Sequence, residues 1–218
     1  MGRCGVLGSG GVVTFTHVNA GDRGPHVASA VNGALDAGAD TILANQRPPR
    51  LHRGDEARRR DVSAGGGSPS DHALWGIQGP GLDFRDEWQG DHAMQSLRHF
   101  WEAETRRRGI TDRRLIERYP FLAGGNPGDL PNLEETAATA RAAVIVAKGD
   151  QVHRGIAYGT REYEELDPEP KARASARRAM QEGIGLIEAG DFWGYDQHCV
   201  PPAPSWAAGG FIEFTRTS

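Results

Sequence analysis

The glycine-rich stretch GGGSPSDHALWGIQGPGLDF occupies residues 65–84 and concentrates the polar chemistry of this chain. It sets His72 and Asp83 in a frame of glycines, and Ser70 stands two residues before the histidine. Imidazole and carboxylate side chains are the groups from which metal sites and general acid/base pairs are built. The stretch therefore predicts a loop that carries a functional site, with the rest of the fold built around it.

The segments before this loop alternate between strand and helix patterns. β-branched residues predict a strand at residues 12–18, and apolar residues at helical spacing predict a helix at about 25–37. Residues 40–45 indicate a second short strand, which ends before two prolines because proline cannot donate to a strand ladder. Residues 51–60 are polar and predict a helical turn at most.

The segments after the loop are predicted to be mainly helical. The clearest helix begins at His92, carries Met94 and Leu97 on one face, and ends before Gly109. A capping box at Asn132 predicts another helix up to about residue 148, although the β-branched run at 144–146 equally favours a strand. The remaining predictions are helices at 111–119 and 172–189, and strands at 82–84, 151–158 and 211–215.

These elements indicate the α+β fold class, with a small, mostly antiparallel sheet flanked by helices. The site is expected to lie in a cleft on that sheet. Residues 1–160 are predicted to form the domain that holds the site, and residues 161–218 an added C-terminal helix and tail.

The composition indicates a globular chain with a modest core and excludes some partners. The 218 residues are 38% hydrophobic and carry a formal net charge of -4, which argues against a protein that coats nucleic acid. No apolar run approaches the roughly 20 residues of a membrane span, and the first residues lack the apolar core of a secretory signal. We therefore expect synthesis in the cytoplasm, with neither nucleic acid nor membrane as a partner.

Several polar residues follow one another in the order of a known set of motifs. An arginine ends the second predicted strand before a proline, the loop then presents Ser-x-His with a later glycine and aspartate, and an Asp-x-x-His follows. The residues concerned are Arg47, Ser70, His72, Gly76, Asp83, Asp150 and His153. In these positions the chain resembles the M15 family of zinc D,D- and L,D-peptidases, which includes D-alanyl-D-alanine carboxypeptidases and phage endolysins.

The resemblance implies a role for each matching residue and makes residues 1–160 a metallopeptidase-like domain. The implied zinc ligands are His72, Asp83 and His153, the implied catalytic base is Asp150, and the implied substrate-binding residues are Arg47 and Ser70. Zinc held in this way lowers the pKa of its bound water to about 7 and makes it a nucleophile. The implied function is zinc-dependent hydrolysis of an amide bond in peptidoglycan stem peptides, by a cell-wall peptidase that is released to the wall or carried in a phage-like virion.

Departures from the family pattern favour a second hypothesis. His72 and Asp83 are eleven residues apart, farther than the family spaces its pair, Gln46 stands where the family has tyrosine, and Asp150 where it has glutamate. These differences fit a non-catalytic structural or interaction protein, such as a virion component, with a degenerate version of the fold. A metal-dependent hydrolase of an unrelated family is a third hypothesis.

The site residues also have alternative assignments. His198 competes with His153 for the position of third metal ligand. In ordinary structural roles, His72 satisfies a loop by hydrogen bonding, Asp83 and Asp150 form turns or caps, and Arg47 lies at the surface.

Overall fold

The structure is a computed structural model, which describes residues 12–15, 20–45, 53–82, 85–123, 127–148 and 167–198. The chain divides into two units, one formed by residues 1–149 with 213–218, and the other by residues 150–212. In the described ranges, no helix is both long enough and apolar enough to cross a membrane.

The first unit is built on a five-stranded sheet with the strand order β1-β5-β2-β4-β3. Its strands and helices are β1 (Val12–Phe15), α1 (Ala20–Asp36), β2 (Thr41–Asn45), α2 (Arg53–Ser63), β3 (Gly76–Gln78), α3 (His92–Arg108), β4 (Arg114–Phe121), α4 (Leu133–Ala142) and β5 (Val144–Lys148). The pairs β1/β5, β5/β2 and β2/β4 are parallel, and β3 runs antiparallel to β4.

The predicted combination of helices with a sheet, followed by a C-terminal helix, is confirmed, but the prediction that the sheet is mostly antiparallel is wrong. Of the strand pairs in the described residues, only β3/β4 is antiparallel. Parallel neighbours need a long crossover connection, and α1, α3 and α4 provide it. Nearly every strand is separated from its partner by a helix, and this alternation of strands and helices favours a parallel sheet.

Helices cover both faces of the sheet. On the first face α1 and α3 pack on the strands and enclose the larger core, which includes Val31, Ile42, Leu97, Tyr119 and Val146. On the second face α4 packs on Leu43 and Ile145 through Ala140 and the adjoining Ala143. Strand β2 is buried along its whole length, as expected for a parallel strand covered on both sides.

Several predicted elements differ from the structure. Residues 111–119 were predicted to be helical, but residues 114–119 form most of β4. Leu115 packs against the core on the first face of the sheet and Ile116 against the core on the second face, as in a strand covered on both sides. Of the strand predicted at 82–84, only residue 82 is described, and it lies in a bend, while β3 lies earlier in the chain at Gly76–Gln78. The run at 144–146 is a strand rather than the end of a helix. The helices predicted at 92–108 and 172–189 are confirmed, the second beginning three residues earlier.

The glycine-rich stretch is a loop that leads into β3 and lies against β4. A 3₁₀ turn at Pro69–Asp71 begins it, and Asp71 accepts a hydrogen bond from the backbone N–H of Ser68 at 2.9 Å. Gly79 follows β3, and its backbone passes very close to that of β4. A Cβ at this position would lie 2.3 Å from the carbonyl oxygen of Glu117. Glycine is therefore required for the approach of this loop to β4.

The described part of the second unit is a pair of helices, α5 (Glu169–Glu188) and α6 (Phe192–His198). Gly183 of α5 is buried against the ring of Tyr195, and Asp191 accepts a hydrogen bond from the backbone N–H of Gly194 at the start of α6. The domain boundary predicted at residue 160 and the strands predicted at 151–158 and 211–215 lie outside the described residues.

Candidate functional site

His72 is buried, and both of its ring nitrogens make hydrogen bonds. The backbone N–H of Leu74 donates to Nδ1 at 3.0 Å, so Nε2 carries the proton and donates to the carbonyl oxygen of Asp55 at 2.9 Å. The ring also packs against Phe121 with 4.7 Å between ring centroids. His72 thus joins α2, the glycine-rich loop and β4, and in this arrangement neither nitrogen offers a lone pair to a metal.

Ser70 lies on the exposed side of the same loop. Its hydroxyl is 2.8 Å from that of Ser68, within the 3₁₀ turn, and its role in substrate binding stays a prediction. Neither serine has a base beside it that would make it a nucleophile among the described contacts.

The other predicted site residues are not in the described ranges. Arg47, Asp83, Asp150 and His153 all lie outside them, so the three-ligand zinc site stays a prediction. Within those ranges no group of three or more histidine, cysteine, aspartate or glutamate side chains is arranged to hold a metal ion. His198, the alternative third ligand, hydrogen-bonds through Nε2 to the carbonyl oxygen of Ala179 at 2.8 Å, within the helix pair of the second unit.

A second polar region lies at the carboxyl ends of the parallel strands, on the face covered by α4. The strand register places Ala147 of β5, Asn45 of β2 and Arg118 of β4 side by side. Two residues earlier on each strand, the same face carries the apolar row Ile145, Leu43 and Ile116. The second face therefore changes from apolar to polar where the strands end.

Two buried side chains in this region have no hydrogen-bond partner among the described residues. Asn45 is 4% exposed and Thr136 of α4 is completely buried, yet Oδ1 of the first and Oγ1 of the second are unpaired. Thr136 lies one helical turn before Ala140, which packs with Leu43, and Asn45 lies two residues after Leu43. Relative to the contact between Ala140 and Leu43, both unpaired groups therefore lie nearer the carboxyl ends of the strands.

Arg118, beside Asn45 in the register, is fully engaged. Its guanidinium donates to Glu135 of α4 at 2.9 Å, to the carbonyl oxygen of Glu117 at 2.9 Å and to that of Pro80 at 3.4 Å. The side chain is 8% exposed while that of Glu135 is 51% exposed. The ion pair thus joins β4 to α4 beside Asn45 in the strand register.

The topology makes this edge a natural place for a ligand. The chain returns from β2 to β4 through α3 on the first face, and from β4 to β5 through α4 on the second face. Adjacent strands whose connections leave on opposite faces form a switch point, and ligands of open α/β sheets bind in the crevice outside the carboxyl ends there. Asn45 is the last residue of β2 at this point.

A polar cluster on the first face is internally satisfied. Arg98 of α3 donates two hydrogen bonds to Glu117, at 2.6 and 2.7 Å, and the hydroxyl of Tyr119 donates to the same carboxylate at 3.0 Å. Burial, and then the negative charge of Glu117, raise the pKa of Tyr119 far above its usual range. The hydrogen bond to Glu117 likewise raises the pKa of Arg98. This cluster joins α3 to β4 and offers no free group to a ligand.

Sequence reasoning missed the polar region under α4. Asn45, Arg118 and Thr136 belong to separate elements, and only the register of a parallel sheet brings them together. One signal was present: the apolar strand at 41–45 ends in an asparagine, at the end of the strand where α/β proteins bind ligands.

Comparison with known proteins gives no relative for this chain: no family model, no curated protein and no solved structure matches it.

Proposed function

We propose that this protein binds a small polar molecule at the carboxyl edge of its parallel sheet, in the crevice between the ends of β2 and β4. The observation that carries the proposal is the buried, unpaired Oδ1 of Asn45 at the switch point of the sheet. An unsatisfied buried polar atom costs about 1–3 kcal/mol. A ligand that supplies the missing hydrogen bond offsets this cost when it binds.

The groups at the edge define the chemistry of the ligand. Oδ1 of Asn45 accepts a hydrogen bond, and the hydroxyl of Thr136 both donates and accepts. The ligand therefore presents a donor, such as a hydroxyl or an amide N–H, next to these two residues. Arg118 is occupied by Glu135, so it does not provide a free positive charge.

Negative charge near the site disfavours an anionic group in this position. The first turn of α4 carries Glu134 and Glu135, whose carboxylates interact favourably with the positive end of the helix dipole. A phosphate or carboxylate placed there would be repelled by Glu134, whose charge, unlike that of Glu135, is not balanced by Arg118. We therefore propose that the part of the ligand that enters the crevice is uncharged.

The test is a binding titration with two defined probes, glucose as a polyhydroxylated molecule and D-alanyl-D-alanine as an amide. Chemical-shift changes are expected for the backbone amides of Asn45 and Thr136 with at least one probe. Asn45→Ala should weaken this binding at least about tenfold. Gln95→Ala, which changes an exposed amide on α3, should leave it unchanged. If neither probe shifts these amides, or if both variants behave alike, the crevice is not a binding site for this class of molecule.

A second candidate function is the zinc-dependent hydrolysis of an amide bond in a peptidoglycan stem peptide. One observation favours it: Asn45 and Lys148 end the adjacent parallel strands β2 and β5, and Arg47 and Asp150 each follow two residues later in the sequence. The substrate-binding and catalytic residues implied by the family resemblance therefore follow neighbouring strand ends. An amide substrate also carries the N–H donor that Asn45 would accept.

The hydrogen bonds of His72 do not fit a zinc ligand, and no catalytic step is derived through the metal. Metal analysis of the purified protein tests this candidate. Zinc at one equivalent in the wild type, together with its loss in a folded His72→Ala variant, would support it. Protein without zinc, and without peptidase activity after zinc is added, would favour the non-catalytic hypothesis.

A further inference from the structure

The long helix of the second unit has an exposed apolar stripe. Met180 is 40% exposed and Ile184 is 49% exposed, and the spacing of four residues places them on the same side of α5. Arg177 and Glu188 lie on this side as well, one turn before Met180 and one turn after Ile184. The shorter helix α6 packs elsewhere on α5, against Gly183 and the carbonyl of Ala179.

The charges of α5 are only partly placed to suit its own dipole. After Glu169 in the first turn, the charged residues of the first half are basic, at Lys171, Arg173, Arg177 and Arg178, and those of the second half are the acidic Glu182 and Glu188. Helices are stabilised by the opposite arrangement, with acidic residues near the N-terminus and basic residues near the C-terminus. Glu169 follows this rule, whereas Glu188 in the last turn does not stabilise the isolated helix.

Four of these charges form no ion pair in the part of the chain that the structure describes, and two of the four, Arg177 and Glu188, lie on the apolar stripe. Lys171 and Arg173 pair with Asp167 and Glu169 at 3.0 and 2.5 Å, whereas Arg177 and Glu188 form no ion pair with any residue in the described ranges. Both are exposed. Along α5 the stripe presents a positive charge, two apolar side chains and then a negative charge. A partner surface with the same features in the opposite order would complement it.

We propose that a second copy of this chain provides that surface, through antiparallel pairing of two α5 helices about a two-fold axis. With the axis close to residue 182, Met180 of one copy meets Ile184 of the other, and Arg177 faces Glu188 twice. The two helix dipoles then run in opposite directions, which is also favourable. A two-fold interface is self-complementary, and this stripe has that property.

The predicted dimer is weak. Each helix is about 30 Å long and contributes only two strongly exposed apolar side chains, so the contact is smaller than the roughly 1,200 Å² of a stable interface. We expect a dissociation constant in the micromolar range or above, and weaker association at high salt, because surface ion pairs are screened.

Charge reversal gives a decisive test, with the full-length chain studied by sedimentation velocity over a range of concentrations. Arg177→Glu alone and Glu188→Arg alone should each weaken self-association about tenfold, because each places like charges opposite one another twice. The double variant should dimerise like the wild type. An equimolar mixture of the two single variants should also associate, since each supplies the charges that the other lacks.

Arg178→Glu is the matched control, because the adjacent residue carries the same charge and is also exposed but lies about 100° around the helix. Its self-association should equal that of the wild type. Circular dichroism should show unchanged helix content in all variants. A wild type that is monomeric at every concentration, an effect of Arg178→Glu equal to that of Arg177→Glu, or a double variant that stays monomeric would each overturn the proposal.

Discussion

Replacing Thr136 by valine is expected to stabilise the protein. Valine has nearly the same shape and a similar helix propensity, so the change removes a hydroxyl and little else. Thr136 is completely buried and its hydroxyl is unpaired among the described residues. Because an unpaired buried hydroxyl costs about 1–3 kcal/mol, we expect the free energy of unfolding to rise by about 1 kcal/mol. For a chain of this size the melting temperature should rise by about 2–4 °C.

Thr139→Val on the same helix is the control, since the hydroxyl of Thr139 donates to the carbonyl oxygen of Glu135 at 3.0 Å. That variant should gain no stability. Urea unfolding and calorimetry of both variants against the wild type provide the measurement. A loss of about 1 kcal/mol or more in Thr136→Val would refute the reasoning, because it would mean that the hydroxyl is hydrogen-bonded in solution.

Three further predictions concern contacts described above. His72→Ala should lower the free energy of unfolding by about 2–3 kcal/mol, since it deletes two buried hydrogen bonds and a ring contact, and urea unfolding that matches the wild type would contradict this. Tyr119→Phe should cost about 1–2 kcal/mol through the lost hydrogen bond to Glu117, with an unchanged urea midpoint as the contrary result. Arg107 and a neighbouring arginine lower the pKa of Glu104 from 4.5 to about 2. The stability contributed by Glu104 is therefore present above pH 4.5 and lost as the pH falls towards 2, and an NMR titration midpoint near 4.5 would oppose this assignment.

The sequence predicted helix α3 and the buried strand β2 well and strand β4 poorly. Helix α3 has an apolar face, the N-cap Asp91 and a terminal Gly109, and its bounds were predicted correctly. Strand β4 carries Tyr119 towards the larger core and Arg118 towards α4, so polar side chains are buried on both of its faces and no simple alternation marks it as a strand. The parallel order of the strands depends on contacts between distant segments, which no local pattern records.

The candidate site was less predictable than the fold. A histidine in a polar turn gives the same sequence signal whether its ring binds a metal or the backbone. For His72 the outcome depends on Asp55 and Phe121, which approach only in the folded chain. Asn45 and Thr136 have no distinctive sequence signal, and their burial near the carboxyl ends of the strands follows from the register of β2 and the packing of α4.

The position of β5 has a consequence for synthesis of the chain. This strand lies between β1 and β2, yet it is made about a hundred residues after β2 ends. At roughly 5–20 residues per second, the ribosome needs about 5–20 s to add that segment. Until then β1 lacks the strand with which it pairs, and one edge of β2 stays open to other chains. Translation that stops before Val144 therefore yields an aggregation-prone fragment in which β1 is not joined to the rest of the sheet, rather than a smaller folded protein.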